Sequence, residues 1–326
     1  MFCAAVVYLM IVVGGITRLT QSGLSMVEWA PIMGTLPPIG EVAWLTVFEK
    51  YKAFPEYQKV NIGMSLAEFK NIFWWEYGHR VLGRVIGLIY LLPLLYFYTK
   101  GLVPKHWRLR LFSLFILGGL QGLMGWYMVQ SGLVDVPRVS QYRLTAHLGL
   151  ALIIFICMFW YALDFLRGER KRDQIQVSSI YLKITSVSVL IVFLMMLSGG
   201  FVAGTKAGYI FNTFPTMNGE WVPQQWLAMT PLWRNFFENA ITIQFVHRAF
   251  AIGVLTVVLT VFLLSIKQNF KTYALIALAI VILQIILGIS ALLMRVPVAL
   301  GAAHQAGAVA LLASCLFVTH IAHKYK

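Results

Sequence analysis

The sequence predicts an all-α integral membrane protein with eight transmembrane helices, arranged as two pseudo-symmetric four-helix bundles in the same orientation. Three observations support this fold class. Of the 326 residues, 60% are hydrophobic and only 12% are charged, a balance that a water-soluble domain could not bury. Apolar runs of membrane-spanning length occur eight times along the chain, and the second half of the chain repeats motifs of the first half.

The apolar runs are each about 16 to 27 residues long, which is the length that a helix needs to cross a bilayer. The first run is short, but it lacks the basic residue and the cleavage site of a signal peptide. We therefore interpret it as a transmembrane helix, and leave open whether this helix starts before residue 1. The runs start near Phe2, His79, Leu111, Leu144, Ile184, Ala240, Tyr273 and Val298.

The distribution of basic residues predicts the orientation of the chain in the membrane. Four segments that share one side of the membrane, near 99–110, 164–183, 267–271 and the C-terminus, hold 13 Lys and Arg. The other side holds 10, and the acidic residues of the long loop 17–78 offset half of them. Short basic loops resist translocation, so the first side is predicted to face the cytoplasm or the mitochondrial matrix.

The internal repeat is four helices long and predicts the domain organisation. An even number of helices per repeat gives both halves the same orientation, unlike the inverted repeats of many transporters. We predict an N-terminal bundle at 1–172 and a C-terminal bundle at 173–326. The matching segments are Val13–Gly15 with Ser198–Gly200, Glu76–Arg80 with Gln244–Arg248, Leu120–Gly125 with Leu283–Gly288, and Ala146–His147 with Ala303–His304.

Four of the seven histidines occupy matched positions in the repeat and predict two haem sites. They lie in the first turns of the even-numbered helices, so all four are expected near the outer face. An imidazole inside a bilayer requires a partner, and haem iron accepts imidazole as an axial ligand. Hydrogen bonding to a neighbouring helix is the alternative. The four are His79, His147, His247 and His304; solvent or headgroup contact explains His106, His320 and His323.

Two further patterns accompany these histidines. A small residue stands four positions after each of them, where a porphyrin could approach the helix backbone, although small residues also serve helix packing. Arginines follow the first histidine of each bundle and could orient haem propionates by charged hydrogen bonds. The small residues are Gly83, Ala151, Ala251 and Ala308, and the arginines are Arg80, Arg84 and Arg248.

Two long strings with polar residues at membrane depth, GGITRLTQSGLSM at 14–26 and WWEYGHRVLGR at 74–84, resemble the haem A synthase family. The resemblance covers essentially the whole chain. The long first loop is similar to the proteobacterial and mitochondrial branch, through Trp29, Pro31, Gly34, Pro37, Pro38, Pro55 and Tyr57. It departs from the Gram-positive branch, which has cysteine pairs in its outer loops, because the three cysteines here all lie within apolar runs.

The resemblance implies an oxidoreductase that oxidises a ring methyl of haem O to a formyl group. It implies that His79 and His147 bind the substrate haem O, and that His247 and His304 bind a haem b cofactor. The residues support this asymmetry, because Glu76 stands where the second half has Gln244. A carboxylate can accept a proton or stabilise positive charge, so we predict that Glu76 is catalytic. The alternative is that Glu76 only pairs with Arg80 at the membrane surface.

If both His79 and His147 bind the substrate iron, no position remains for dioxygen, and water becomes the expected oxygen source. A di-haem b electron-transfer cytochrome is the second interpretation, and a membrane transporter is the third.

Membrane lipid is an expected partner, and the net charge of +14 is spread over short loops rather than a nucleic-acid-binding surface. The resemblance suggests haem O synthase, an electron-transfer partner and cytochrome oxidase assembly factors as partners, and leaves a homo-oligomer open.

Overall fold

A computed structural model describes residues 1–28, 33–134, 136–167, 177–266 and 270–324. Within these ranges the regular elements are helical. Trp29, Pro31 and the segment 168–176, where the domain boundary was predicted, lie outside the described residues. The α-helices are α1 (Phe2–Leu19), α2 (Glu41–Lys52), α3 (Pro55–Lys59), α4 (Leu66–Thr99), α5 (Lys105–Gln130), α6 (Gln141–Arg167), α7 (Ser179–Thr205), α8 (Asn235–Glu238), α9 (Ala240–Ser265), α10 (Lys271–Leu293) and α11 (Val298–Lys324).

Eight of these helices, α1, α4, α5, α6, α7, α9, α10 and α11, are long and apolar enough to cross a membrane. This confirms the predicted all-α class with eight spans, and the chain is a multi-pass integral membrane protein. In the described parts of the connecting loops, short 3₁₀ segments lie at Met33–Thr35, Ala207–Tyr209 and Leu232–Arg234.

Helix α4 begins much earlier than the apolar pattern predicts. Ser65 caps it by accepting a hydrogen bond from the backbone N–H of Glu68, whose side chain in turn accepts from the backbone of Ser65. His79 therefore lies thirteen residues after the first helical residue, not in the first two turns. The other three histidines do lie within the first two turns of α6, α9 and α11.

The first part of α4 carries a small helical layer formed by the long loop before it. An aromatic cluster fixes α2 against α4, and consists of Trp44, Phe48, Tyr51, Phe69 and Phe73. Tyr57 of α3 packs against this cluster. Burial raises the pKa of Tyr51, so its hydroxyl stays protonated and donates to Glu56 at 3.0 Å. The loop is therefore ordered by its own core and holds the segment near Ser25 in place.

Backbone contacts divide the chain into two compact units, residues 2–154 and residues 155–326 together with Met1. The first unit contains His79 and His147, and the second contains His247 and His304. The predicted bundle boundary at 172/173 stays a prediction. In the second unit, a buried cluster that includes Tyr181, Val261 and Phe270 fills the space between α7, α9, α10 and α11.

His320 differs from the sequence-based explanation, because it is buried rather than in contact with solvent or headgroups. Only 1% of the residue is exposed. Its Nε2 lies 2.8 Å from Oδ1 of Asp164, and the ring of Trp160 packs edge-on against it. The sequence missed this pair because Asp164 is 156 positions away, and only the packing of α6 on α11 brings the two together.

Candidate haem-binding sites

Each of the four matched histidines has its ring against a glycine of the preceding membrane helix. A methyl carbon placed on Gly125 of α5 would lie 3.0 Å from Cε1 of His147, and one on Gly288 of α10 would lie 3.0 Å from Cε1 of His304. These distances are shorter than ordinary van der Waals contact, so only glycine fits without a shift. The two rings therefore have the same relation to matched glycines.

The first histidine of each unit also lies beside a matched glycine, but the two rings differ in orientation. A methyl carbon on Gly14 of α1 would lie 3.2 Å from Nε2 of His79, whereas one on Gly199 of α7 would lie 3.4 Å from Cε1 of His247. The sequence contained this signal as repeated glycines, yet without the helix pairing their contact with histidine could not be derived.

The structure places His79 and His147 in one compact unit and His247 and His304 in the other. That the two histidines of each unit face each other stays a prediction. Two imidazoles on facing helices are the donor set of a six-coordinate haem.

Polar atoms around these rings fit such a group. Nε2 of Gln121 lies 3.2 Å from Nδ1 of His147 and donates to its backbone carbonyl at 3.1 Å. In the matched position Gln284 is buried, its amide against Gly307. Among the described residues, neither polar atom of the Gln284 side chain has a hydrogen-bond partner. Buried polar atoms without partners are costly, which is consistent with a site that a bound group completes.

Glu76 is buried beneath the loop that follows α1. Its Oε2 accepts hydrogen bonds from the Ser25 hydroxyl at 2.8 Å and from the Met26 backbone N–H at 2.7 Å. Its Oε1 accepts from Arg80 at 2.5 Å. The side chain of Glu76 is only 3% exposed, so the pair with Arg80 exists but is not the surface ion pair of the alternative interpretation. A buried carboxylate with three donors is a fixed negative charge.

Gln244, at the matched position in the second unit, has a different task. Its Nε2 donates a hydrogen bond to the carbonyl of Phe211 at 2.9 Å. Gln244 therefore holds the loop after α7 as a donor, whereas Glu76 holds the loop after α1 as an acceptor. Gln244 is uncharged and, like Glu76, buried. The asymmetry predicted from the sequence therefore has a structural counterpart in the polarity of the two hydrogen-bond networks.

The first arginine of each unit binds loop backbone. Arg80 donates to the carbonyls of Met26 at 2.7 Å and Glu28 at 3.0 Å. Arg248 donates to the carbonyls of Thr213 at 3.0 Å and Phe211 at 3.1 Å. Both hold the loop after the preceding membrane helix.

That Arg80, Arg84 and Arg248 contact haem propionates stays a prediction. Arg84 lies one turn after Arg80 on α4. The small residues were expected to make room for a porphyrin. Gly83, however, faces Met10 of α1, since a methyl carbon on it would lie 3.3 Å from Cε of that side chain. At this position the structure shows the helix-packing role that was the alternative.

Comparison with known proteins agrees with this geometry. The family model described as COX15-CtaA, cytochrome oxidase assembly protein, matches residues 1–316. A heme A synthase of Nitrosospira multiformis is 50% identical over 98% of this chain and 90% of its own length. Similar proteins with the same name occur in Nitrosomonas eutropha, 47% identical over 98% of this chain and 91% of the relative, and in Wolbachia pipientis wMel, 43% identical over 97% and 89%. The chain therefore belongs to the COX15-CtaA family of cytochrome oxidase assembly proteins.

Proposed function

We propose that this protein is a haem A synthase, an oxidoreductase that converts a ring methyl of haem O to a formyl group. The observation that carries the proposal is the buried carboxylate of Glu76, three residues before His79, where the second unit has an amide. Relatives at 43 to 50% identity over nearly the whole chain bear the name heme A synthase. A carboxylate at only one of the two matched positions indicates that the two histidine pairs have different tasks.

In this proposal the substrate haem O lies between His79 and His147, and a resident haem b lies between His247 and His304. The matched glycines support the placement, because they let each imidazole lie close to its neighbouring helix at a fixed position. When bound, haem b supplies a redox centre that carries electrons away from the substrate. The histidines hold the two macrocycles, and the loops fixed by Arg80 and Arg248 cover the ends of the sites.

The overall reaction requires the removal of four electrons. A ring methyl and one water give the aldehyde, four protons and four electrons, through two hydroxylations and loss of water from a geminal diol. If both His79 and His147 bind the substrate iron, no position would remain for dioxygen, and water is then the proposed oxygen source. An electron-transfer partner then accepts the electrons.

The hydrogen bonds of Glu76 favour one of its two proposed roles. Ser25, Met26 and Arg80 already donate to the two carboxylate oxygens, so most of the acceptor sites of Glu76 are taken. A proton on either oxygen would weaken the hydrogen bonds to that oxygen, whereas a fixed negative charge keeps all three. We therefore assign Glu76 the stabilisation of positive charge that develops at the ring methyl as electrons leave.

The proposal is tested by extracting the haems from purified wild type and Glu76→Gln, both produced in cells that supply haem O. Glu68→Gln is the matched control, because Glu68 is an exposed carboxylate on the same helix and glutamine preserves the capping box. Wild type and Glu68→Gln are expected to carry haem A with haem b. Glu76→Gln is expected to carry haem b with haem O or a hydroxylated intermediate, and haem A at the wild-type level would contradict the role of Glu76.

A di-haem b electron-transfer cytochrome is the second candidate, favoured by the equal contacts of Gly125 with His147 and of Gly288 with His304. It predicts only haem b, in two equal sites, from the same extraction.

As a haem A synthase, the protein belongs in a bacterial plasma membrane or a mitochondrial inner membrane, with its haem sites toward the outer face. Haem O synthase and cytochrome oxidase assembly factors are its proposed partners.

A further inference from the structure

The two haem sites of a haem A synthase have opposite requirements, and this inference rests on the proposed function. A cofactor haem must stay bound, whereas the substrate haem must enter as haem O and leave as haem A. Axial imidazoles bind iron more firmly when their second nitrogen donates a hydrogen bond, which fixes the ring and raises its basicity. The hydrogen bonds of the histidine rings can therefore distinguish a resident haem from an exchangeable one.

In the second unit, Ser198 holds the ring of His247. The serine Oγ lies 2.7 Å from Nδ1 of His247 and 2.7 Å from the carbonyl oxygen of Met195, one turn earlier on α7. A hydroxyl has one proton, and a carbonyl can only accept, so that proton goes to Met195. Ser198 then accepts from the Nδ1–H of His247, which leaves the lone pair on Nε2.

The hydrogen bond from Nδ1–H of His247 to Ser198 gives His247 the tautomer that a haem ligand needs, with the lone pair on Nε2. A neutral imidazole carries its proton on one nitrogen and offers the other to the metal. Gly199, directly after Ser198, lies beside the same ring, since a methyl carbon on it would be 3.4 Å from Cε1. Two consecutive residues of α7 therefore set both the proton and the orientation of His247.

In the first unit the same position of the repeat is Val13, which has no hydrogen-bonding group in its side chain. The turn is otherwise alike, since Met10 stands where the second unit has Met195. No hydrogen bond from a described residue reaches the ring of His79, and its Nε2 is turned toward Gly14 of α1. The substrate-side ligand therefore lacks the hydrogen bond that fixes its counterpart.

We propose that Ser198 is a positioning residue that retains the resident haem through His247, and that Val13 leaves His79 free to release the product haem. This matched position, serine in one bundle and valine in the other, makes the hydrogen bonding of the first histidine different in the two units. Ser198 contacts the ligand and not the reacting carbon, so its effect is on haem retention and redox potential rather than on the chemistry at the methyl group.

The test is the rate at which each haem leaves purified full-length protein in detergent for an excess of apomyoglobin, with a potentiometric titration of haem b. Ser198→Ala is expected to lose haem b about 10–100-fold faster. It is also expected to show a higher midpoint potential, because a less basic ligand stabilises ferric iron less. Ser198→Thr, which keeps the hydroxyl, is expected to behave as wild type in both measurements.

Val13→Ser is the converse variant, and it is expected to slow the release of haem A or haem O from the first unit. Release of haem b at the wild-type rate and potential from Ser198→Ala would overturn the proposal. If that variant does not fold, unchanged release from Val13→Ser overturns it. The haem identities in wild type test the proposed function separately: only haem b in both sites refutes the synthase, while the release rates still measure what Ser198 does to His247.

Discussion

Replacing Gly288 by alanine is predicted to weaken the binding of haem b without unfolding the protein. The added methyl carbon would lie 3.0 Å from Cε1 of His304, against 3.4 Å for the start of ordinary contact. The imidazole must therefore recede by about 0.4 Å, close to the ~0.5 Å within which a metal site tolerates displacement of its ligands. The same substitution in a helix otherwise stabilises it by about 1 kcal/mol, because glycine is a poor helix former.

The two effects have opposite signs and can be separated. Affinity for haem b is expected to fall about 10–100-fold, the usual cost of disturbing the surroundings of a metal ligand, while the melting temperature of the haem-free protein stays the same or rises. The assay is titration of the purified protein with haem b, followed by absorbance, with thermal unfolding in parallel. Gly125→Ala should weaken the binding of haem O in the same manner.

Gly122→Ala is the matched control, because Gly122 lies on α5 one turn from Gly125 and a methyl group there meets nothing within 4 Å. It is expected to bind both haems as wild type does. Wild-type haem b affinity in Gly288→Ala would refute the assignment of this glycine as the surface on which His304 rests. Equal losses in Gly122→Ala and Gly125→Ala would show that the effect belongs to the helix and not to the ring contact.

Three further predictions follow from the same geometry. Arg80→Met should destabilise the protein by about 3–5 kcal/mol and lower the yield of haem A, because it leaves Glu76 buried without its charged partner. Arg248→Met removes donors to loop carbonyls only and should destabilise the protein less. Equal unfolding midpoints of the two variants in denaturant would contradict the contribution of the buried pair. Asp164→Ala should cost about 1–3 kcal/mol, because His320 loses its hydrogen bond inside the protein; an unchanged melting temperature would disprove that contribution. Turnover in ¹⁸O-labelled water should place the label in the aldehyde under conditions without exchange, and label from ¹⁸O₂ would contradict the water route.

The sequence predicted the eight spans because lipid-facing and core residues are both apolar, so each crossing leaves a continuous run. It misplaced the start of α4, because Trp74, Trp75 and Glu76 interrupt that run although the helix continues through them. The start signal lay earlier, at the capping box of Ser65 and Glu68, in a stretch that packs under aromatic side chains instead of lipid.

The histidine pairs could be predicted because the repeat places them at matched positions, and repetition carries information that a single histidine does not. The residues that hold the histidine rings could not be predicted from the sequence. The glycines and Ser198 lie on the preceding helices, 22 or more positions before the histidines in every case except the pair of α10 and α11. Their contacts depend on which helix faces which, and residue spacing along one helix does not determine that.

The buried network of Glu76 illustrates the same limit. Its spacing from His79 and its contrast with Gln244 were visible in the sequence. The convergence of Ser25, Met26 and Arg80 on its two oxygens depends on a tight turn after α1 that no periodicity predicts. These contacts, rather than the presence of a carboxylate, favour charge stabilisation over proton acceptance.

The central claim is that the two histidine pairs hold different haems, and it is tested most directly by extracting the haems of two double variants made in cells that supply haem O. His79→Ala with His147→Ala is predicted to retain haem b and to carry neither haem O nor haem A. His247→Ala with His304→Ala is predicted to lose haem b. If instead each double variant keeps half of every haem present in wild type, the two sites are equivalent and the division of tasks between them is wrong.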